Sequence, residues 1–237
     1  MKDRVVAVTG ASRGIGLAVA QEFAGSGAIL VLISRNINDL NNALTTLPGK
    51  SSSEHITVEA DISDGQSVKT AFEKIFKTVG NVDILINNAG FAFFKPVMEI
   101  EPEDWDKMMG VNLRGAYLCS KMVLPGMISK RSGHIFNISS VSAIKAFPFN
   151  TAYSASKAGL LAFGNSLREE VRQHGIKVVN VIPGATNTPI WDDLQGNFDR
   201  EKMIDRSDIA KTIAGISCLS GKTTVEQVII RPGEGDF

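Results

Sequence analysis

Seven short apolar segments alternate along the chain with longer segments in which apolar residues recur every three or four positions. The short segments are rich in β-branched residues and stand at 4–9, 28–33, 55–60, 82–87, 133–139, 176–182 and 225–231. Runs of this length and composition are typical of strands that are covered on both faces. The longer segments, which predict helices, include 14–26, 64–78, 103–130, 152–173 and 207–219. This alternation predicts an α/β fold with helices on both faces of a parallel sheet.

Residues 1–237 are predicted to form a single domain around one doubly wound, seven-stranded sheet. A chain of 237 residues lies within the usual range for one α/β domain with a full core. The polar segments 48–54 and 195–200 are rich in turn-forming residues and predict surface loops rather than linkers.

The balance of charges argues against nucleic acid and membranes as partners. Twenty-five basic residues are matched by 25 acidic ones, so no net field attracts a polyanion. The longest apolar run, Ala28–Ile33, is far too short to cross a bilayer. Strand-like sequence begins by Arg4 or Val5, which leaves no room for a signal peptide. These features indicate a cytoplasmic protein.

Cysteine and histidine usage predicts neither a disulfide framework nor a metal site. Cys119 and Cys218 are too few for such a framework, and we expect both to be buried as small apolar side chains. The three histidines are isolated, at positions 55, 134 and 174, and form no zinc-type cluster.

A glycine-rich turn, TGASRGIG at 9–16, follows the first predicted strand. The first glycine permits a tight turn, and the next two allow backbone to approach a phosphate and a helix to pack on the strand. Glycine trios also occur in turns that bind nothing, but a place between a strand and a helix start favours a dinucleotide site. The candidate residues in this turn are Gly10, Ser12, Arg13, Gly14, Ile15 and Gly16.

The end of the second predicted strand indicates which dinucleotide is bound. NAD-binding proteins usually place a carboxylate there, to accept from the ribose 2′-hydroxyl. This chain has Ser34, Arg35 and Asn36 instead, with no acid among them. A guanidinium binds a 2′-phosphate that a carboxylate would repel, and Arg13 supplies a second charge. The sequence favours NADP(H), with two merely surface arginines as the alternative.

Seven motifs stand in order along the chain. They are TGASRGIG (9–16), DI (61–62), NNAG (87–90), VN (111–112), SS (139–140), YSASK (153–157) and PGATNT (183–188). In this order and spacing the chain resembles the short-chain dehydrogenase/reductase family over essentially its whole length. The resemblance implies a Rossmann fold and an NADPH-dependent oxidoreductase that reduces a carbonyl group to an alcohol.

The resemblance also implies roles for individual residues. Asp61 and Ile62 would hold the adenine. The cofactor cleft would be lined by Asn88, Ala89 and Gly90, and its nicotinamide end by Pro183, Gly184, Thr186 and Thr188. The implied catalytic residues are Asn112, Ser140, Tyr153 and Lys157, of which the last two would also contact the cofactor.

Two segments place a tyrosine four residues before a lysine, YLCSK at 117–121 and YSASK at 153–157. The family's serine precedes its tyrosine by thirteen residues. Ser140 has that spacing to the second segment, whereas Asp104, in a predicted helix start, has it to the first. The spacing therefore favours YSASK as the site.

Helical geometry leads to the same choice. On one continuous helix over 103–130, Tyr117 would lie about 140° around the axis from Asn112. If Asn112 faces the site, Tyr117 faces away from it. Tyr153 and Lys157 lie about 40° apart on one helix face.

The chemistry implied for YSASK depends on proton transfer. The Lys157 ammonium is expected to lower the pKa of Tyr153, which then protonates the substrate oxygen. Ser140 would hold that oxygen in place, and Asn112 would support a water that returns the proton through Lys157. The alternative is a protein that senses a dinucleotide but has lost turnover, against which the four intact residues argue.

Six aromatic side chains predict an apolar wall for the substrate. They are Phe91, Phe93, Phe94, Phe147, Phe149 and Trp191, of which we expect about half to belong to the core. Such walls favour an apolar or aromatic carbonyl compound over a sugar.

Within the family, 3-oxoacyl-[acyl-carrier-protein] reductases look most similar, which implies a substrate linked to an acidic carrier. Arg131, Arg172 and His174 would then dock that carrier. The family resemblance further implies a homodimer or homotetramer built through the helices at 103–130 and 152–173.

Overall fold

The computed structural model describes residues 1–49, 55–193 and 198–235. Its seven strands form one sheet in the order β3-β2-β1-β4-β5-β6-β7, and every neighbouring pair is parallel. The strands are β1 (Val5–Thr9), β2 (Ile29–Ser34), β3 (Ile56–Glu59), β4 (Ile84–Asn87), β5 (Gly133–Ile138), β6 (Ile176–Pro183) and β7 (Gln227–Ile230). The predicted doubly wound, seven-stranded parallel sheet is confirmed.

Helices connect the strands and cover both faces of the sheet. They are α1 (Gly14–Gly25), α2 (Ile37–Thr45), α3 (Gly65–Val79), α4 (Pro102–Met109), α5 (Gly115–Lys130), α6 (Thr151–Val171) and α7 (Arg206–Ser217). The sequence pattern did not single out α2. Its N-cap, Asn36, accepts hydrogen bonds from the backbone N–H groups of Asn38 and Asp39.

The segment 103–130 is not the single helix that its pattern predicts. α4 and α5 are separated by a π-helical turn, Gly110–Arg114, in which the N–H of Gly115 donates to the carbonyl of Gly110. A π turn adds one residue without interrupting the run of helical hydrogen bonds, so the sequence pattern does not reveal it. The ideal angle between Asn112 and Tyr117 therefore does not apply here. Most of the predicted loops, residues 50–54 and 194–197, lies outside the described residues.

The core consists of two layers because successive strand residues point to opposite faces. Val6 and Val8 of β1 pack in the layer that includes residues of α1 and α7. Val5 and Ala7 pack in the other layer, with residues of α3, α5 and α6. Burial on both faces explains why the strands read as continuous apolar runs.

Three asparagines cross the sheet on one rung. Asn87, Asn137 and Asn180 are paired in register on β4, β5 and β6. The Nδ2 of Asn87 donates to Asn137 Oδ1 at 2.9 Å, and the Nδ2 of Asn137 donates to Asn180 Oδ1 at 3.3 Å. All three are buried, and amide pairing satisfies most of the groups that would otherwise be costly to bury; Asn87 Oδ1 has no partner among the described residues. The rung lies at the last residue of β4, one residue before the end of β5 and three before the end of β6, and it helps to fix the register of strands whose ends carry the candidate site.

The two cysteines differ in burial. Cys119 is buried within α5, and burial raises the pKa of its thiol to about 12. Cys218 follows α7 and is exposed, so the expectation that both are buried is wrong for Cys218. Cys218 is the C-cap residue of α7, where the helix ends at the surface rather than in the core. Among the described helices, none is long and apolar enough to cross a membrane.

One buried histidine lies at the opposite end of the sheet from the strand ends discussed below. His134 is the second residue of β5, stacks on Phe136 and has no hydrogen-bond partner for either ring nitrogen within the described residues. Burial lowers the pKa of His134 to about 4, and the charges of Arg4 and Lys177 add to the effect.

This depressed pKa predicts acid destabilisation. The unfolded chain takes up the proton on His134 more readily than the folded one. Protonation of His134 therefore costs no stability above pH 6.5, and the free energy of unfolding falls as the pH drops from 6.5 toward 4. The loss amounts to about 3 kcal/mol in the free energy of unfolding. His134→Phe, which keeps a stacking ring, should remove this part of the pH dependence. Urea unfolding across the window measures it, and an unchanged slope in the variant would contradict the assignment.

Candidate active site

A cleft of ≈ 810 Å³ opens at the carboxyl ends of the strands. Its centre lies where β1 and β4 are neighbours, at the point where the connections leave the sheet in opposite directions. Open α/β sheets bind ligands at this point. The predicted residues that line the cleft are Gly10, Ser12, Arg13, Gly14, Ile15, Ser34, Arg35, Asn36, Asp61, Ile62, Asn88, Ala89, Gly90, Ser140, Tyr153, Lys157, Pro183, Gly184, Thr186 and Thr188.

The first turn is held against the end of β4 by one asparagine. Asn88 Nδ2 donates to the carbonyls of Thr9 and Gly10, at 2.9 and 3.1 Å. Gly10 has φ +64°, and a Cβ there would lie 2.8 Å from the Cα of Ala89. Only glycine fits this close approach.

Two predicted site residues do not line the cleft. Gly16 lies behind the turn, where a Cβ would overlap the Gly10 carbonyl oxygen, so it serves helix packing. Asn112 is buried, and its amide exchanges two hydrogen bonds with the backbone of Phe91 and donates a third to Ser156 Oγ, all at 3.0 Å. Direct contact of the Asn112 side chain with a ligand is therefore excluded in this arrangement.

The second and third strands end on polar and charged groups. Arg35 is exposed at the end of β2. Asp61 accepts from the hydroxyl and the N–H of Ser63, at 2.7 and 2.9 Å. These bonds, with a smaller contribution from the charges of Arg35 and Lys107, lower the pKa of Asp61. Its carboxylate is thus held ionised, as an acceptor for a ligand N–H group.

This end of the cleft fits a dinucleotide phosphate. The turn before α1 brings backbone without a side chain to the cleft at Gly10 and Gly14, which have φ +64° and +62°. The helix start directs its N–H groups toward an anion. Arg13 and Arg35 line the same region and add positive charge. These residues would hold the adenosine and the phosphates of a nicotinamide dinucleotide.

The predicted serine and tyrosine meet on one wall. Ser140 follows β5, where its Oγ accepts from the N–H of Ser142 at 3.2 Å. Tyr153 stands in the first turn of α6, and its hydroxyl lies close enough to the Ser140 side chain for the two to interact. Burial raises the pKa of Tyr153, and the interaction with Ser140 opposes that shift.

Lys157 stands one turn after Tyr153 on α6, but its surroundings differ from those expected. Its ammonium lies 5.7 Å from the centre of the Tyr153 ring and donates to the carbonyl of Ile138 at 2.8 Å. Burial lowers the pKa of Lys157 to about 8. Burial raises the pKa of Tyr153, and Lys157 is not among the causes of that shift. This arrangement therefore does not show the expected lowering of the Tyr153 pKa by Lys157, whose ammonium is bound to a strand carbonyl.

Gly90 marks where the remaining groups converge. A Cβ at Gly90 would lie 3.0 Å from Asn112 Oδ1 and 3.4 Å from Lys157 Nζ. The end of β4, the π turn and α6 therefore meet at this glycine. A side chain at position 90 would separate Lys157 from Asn112 in the π turn.

The second tyrosine–lysine pair lies outside the cleft. Tyr117 is 43% exposed on α5 and packs edge-to-face on Phe163. The Lys121 ammonium lies 5.9 Å from the centre of the same ring. Tyr117 and Lys121 are therefore a surface pair.

Part of the predicted aromatic wall lines the cleft near Tyr153. Phe91, Phe94, Phe147 and Trp191 line it, and so does Phe198, which the sequence did not indicate. Phe93 is absent from the lining, and Phe149 points to solvent with 58% of its surface exposed. The Trp191 indole donates to the carbonyl of Thr186 and packs on Phe198 at 4.6 Å. Chain order alone does not separate the aromatic residues that face the cleft from their neighbours.

The expected carrier-docking residues lie at the other end of the sheet. Arg131 precedes β5 and donates to the carbonyl of Gln173. Arg172 precedes β6 and pairs with Glu169 and Glu226. Because the strands are parallel and the cleft lies at their carboxyl ends, roughly 20 Å of strand separates these arginines from it.

Other residues that sequence reasoning missed also line the cleft. Asp39 lies one turn into α2, beyond the strand end in which the carboxylate was sought. Ser142 and Asn150 lie beside Ser140 and Tyr153. No motif includes them, so only the tertiary structure identifies them.

Comparison with known proteins places this geometry in a family. A family model described as short chain dehydrogenase matches residues 4–197. The sepiapterin reductase of Chlorobaculum tepidum is 33% identical over 240 residues, with 98% of each chain covered.

Two solved structures share the fold over nearly their whole length. A metagenomic short-chain oxidoreductase in complex with NADP is 31% identical, with a TM-score of 0.85 and coverage of 98% of this chain and 97% of that one. The 3-ketoacyl-(acyl-carrier-protein) reductase from Brucella melitensis, complexed with NADH, is 27% identical, with a TM-score of 0.88 and 98% of each chain covered. The chain belongs to the short-chain dehydrogenase/reductase family of oxidoreductases.

Proposed function

We propose that the protein is an NADPH-dependent reductase of small apolar or aromatic carbonyl compounds. The observation that carries this proposal is the meeting of the Ser140 and Tyr153 side chains on the wall of the cleft, with Lys157 one turn along α6. Ser140 and Tyr153 offer two hydroxyl groups to one carbonyl oxygen. Bound NADPH would supply the hydride to the carbonyl carbon.

The residues of the chain would divide the remaining work. Ser140 would donate to the substrate oxygen and hold it against the Tyr153 hydroxyl. Tyr153 would give its proton to that oxygen as negative charge develops on it. Burial raises the pKa of Tyr153, which keeps the hydroxyl protonated until charge develops on the substrate oxygen. The buried Lys157 ammonium would stabilise the phenolate that remains, and the Asn112 turn would support the path by which a proton returns.

Charge at the adenosine end supports a preference for NADPH over NADH. Arg13 and Arg35 line the cleft there, and guanidinium groups bind phosphate well. Asp39 lines the same region and opposes a 2′-phosphate, so the preference depends on the two arginines. One similar structure contains NADP and another NADH, which makes the measurement below decisive.

The aromatic lining supports a compact apolar substrate. Phe94 packs edge-to-face on Tyr153, with ring centres 6.4 Å apart. Together with Phe147 and Trp191 it forms a wall suited to a flat or apolar body. The distance from Arg131 and Arg172 to the cleft gives a carrier-linked chain no support within one subunit. An oligomer, a carrier partner and a cytoplasmic location stay predictions.

Tyr153→Phe should lower kcat by roughly 10²–10⁴-fold, because only the proton donor is lost. NADPH affinity should be retained, as measured by fluorescence titration. Tyr117→Phe is the matched control and should keep activity, since that ring lies on the surface of α5. NADPH oxidation with a panel of aromatic ketones measures both. No oxidation by the unmodified protein with any carbonyl would favour the dinucleotide-sensing alternative.

The rate of reduction should fall as pH rises through about 8. Burial lowers the pKa of Lys157 to about 8, so the ammonium is present below that pH and lost above it. A kcat profile with saturating NADPH and ketone tests this, with thermal unfolding measured at each pH to exclude denaturation. A flat profile across pH 8 would remove Lys157 from the mechanism.

Arg35→Ala should weaken NADPH binding by roughly 10–100-fold and NADH binding little, since a charge-assisted hydrogen bond contributes about 1.5–3 kcal/mol. Asp39→Asn should shift the ratio of the two affinities in the opposite direction, because it removes a charge that repels the 2′-phosphate. Dissociation constants from calorimetry provide the ratio. Equal affinity of the unmodified protein for both cofactors would show that the arginines do not select the phosphate.

A further inference from the structure

Asn150 has a buried amide oxygen whose hydrogen-bonding capacity is unused. The residue is 5% exposed and lines the cleft beside Tyr153. Its Nδ2 donates to Ser142 Oγ at 3.0 Å, while its Oδ1 has no partner among the described residues. Buried acceptors in folded proteins are normally paired.

The Asn150 amide does not cap the helix that follows it. Asn150 is the N-cap residue of α6, and an asparagine there usually accepts from the free N–H groups of the first turn. No such side-chain bond exists here. The bond to Ser142 holds the amide in a different direction, and the unpaired oxygen stays buried in a residue that lines the cleft.

The backbone before Asn150 is strained. Phe149 has φ +62°, which is unusual for a residue with a bulky side chain. Its carbonyl accepts from the N–H of Lys95 at 3.0 Å, which fixes the segment to the loop after β4. The left-handed turn leaves the Phe149 side chain in solvent and Asn150 in the cleft. Strain of this kind persists where the surrounding structure maintains it, often at ligand sites.

We propose that Asn150 is a substrate-recognition residue whose Oδ1 accepts a hydrogen bond from the substrate. The inference rests on the proposed function of the cleft. It narrows the substrate class to carbonyl compounds that carry an O–H or N–H group next to the carbonyl, with an apolar or aromatic body. α-Hydroxy ketones belong to this class.

Geometry sets how near the donor must be to the reacting carbonyl. Asn150 precedes Tyr153 by three residues, or about 4.5 Å along the axis of α6. Ser142 stands two residues after Ser140, and its N–H is bound to the Ser140 hydroxyl. The unpaired oxygen is thus fixed to the same two elements that hold the carbonyl oxygen.

Binding of unreactive ligands tests the proposal without turnover. N-Methylbenzamide and methyl benzoate have nearly the same shape, but only the amide has an N–H beside its carbonyl. Calorimetry on the protein saturated with NADP⁺ should show at least about tenfold tighter binding of the amide. Asn150→Leu should abolish that difference by weakening the amide alone. Equal affinities in the unmodified protein would overturn the proposal.

Ser142→Ala separates recognition from positioning. Ser142→Ala and Asn150→Leu both remove the hydrogen bond from Asn150 Nδ2 to Ser142 Oγ. Only Asn150→Leu also removes the Oδ1 acceptor. The preference for the amide should survive at least in part in Ser142→Ala and vanish in Asn150→Leu. An equal loss in both variants would make Asn150 a positioning residue and overturn the proposal. NADPH affinity and thermal unfolding confirm that each variant is folded.

Kinetics distinguish this inference from the proposed function. α-Hydroxyacetophenone and propiophenone differ by a hydroxyl in place of a methyl. Asn150→Leu should raise KM for the hydroxy ketone by roughly tenfold and leave propiophenone little changed. A fall in kcat for both ketones alike would contradict recognition by Asn150. If neither ketone is reduced by the unmodified protein, the proposed function fails, and the binding comparison still decides whether Asn150 recognises a donor.

Discussion

Two hydrogen bonds fix α6 to the end of β5, and the rest of the site depends on them. Lys157 Nζ donates to the carbonyl of Ile138, and Ser139 Oγ donates to the carbonyl of Lys157. Both are buried, where such bonds are strong and costly to break. They determine the distance between the strand end that carries Ser140 and the helix face that carries Tyr153. Without them the two hydroxyl groups would have no fixed relation, and a carbonyl oxygen could not contact both.

The same burial explains the lowered pKa of Lys157. A side chain held by a strand carbonyl inside the protein loses much of its hydration, which lowers its pKa to about 8. Burial acts on Tyr153 in the opposite sense, because it disfavours the phenolate. The pair therefore combines a protonated tyrosine with a lysine whose pKa lies near 8.

The register of the sheet transmits this geometry to the cofactor side. The amide rung of Asn87, Asn137 and Asn180 aligns β4, β5 and β6 near their carboxyl ends. The residue that follows β4, Asn88, then bonds the turn after β1. A slip by one residue would turn the rung outward and move Ser140 to the other face. The glycine-rich turn and Ser140 are thus placed in the cleft by one set of strand pairings.

The sequence by itself determined the strands, the fold class and most of the residues that line the cleft, because apolar periodicity and ordered motifs are local properties of the chain. It did not reveal the π turn around Asn112, the exposure of Cys218 or the acid at Asp39, since each depends on neighbours distant in sequence. Which phenylalanines face the cleft, and which way the Asn150 amide points, depend on how loops pack together. The direction of the Tyr153 pKa shift was also decided by tertiary structure, because burial is a property of the whole fold.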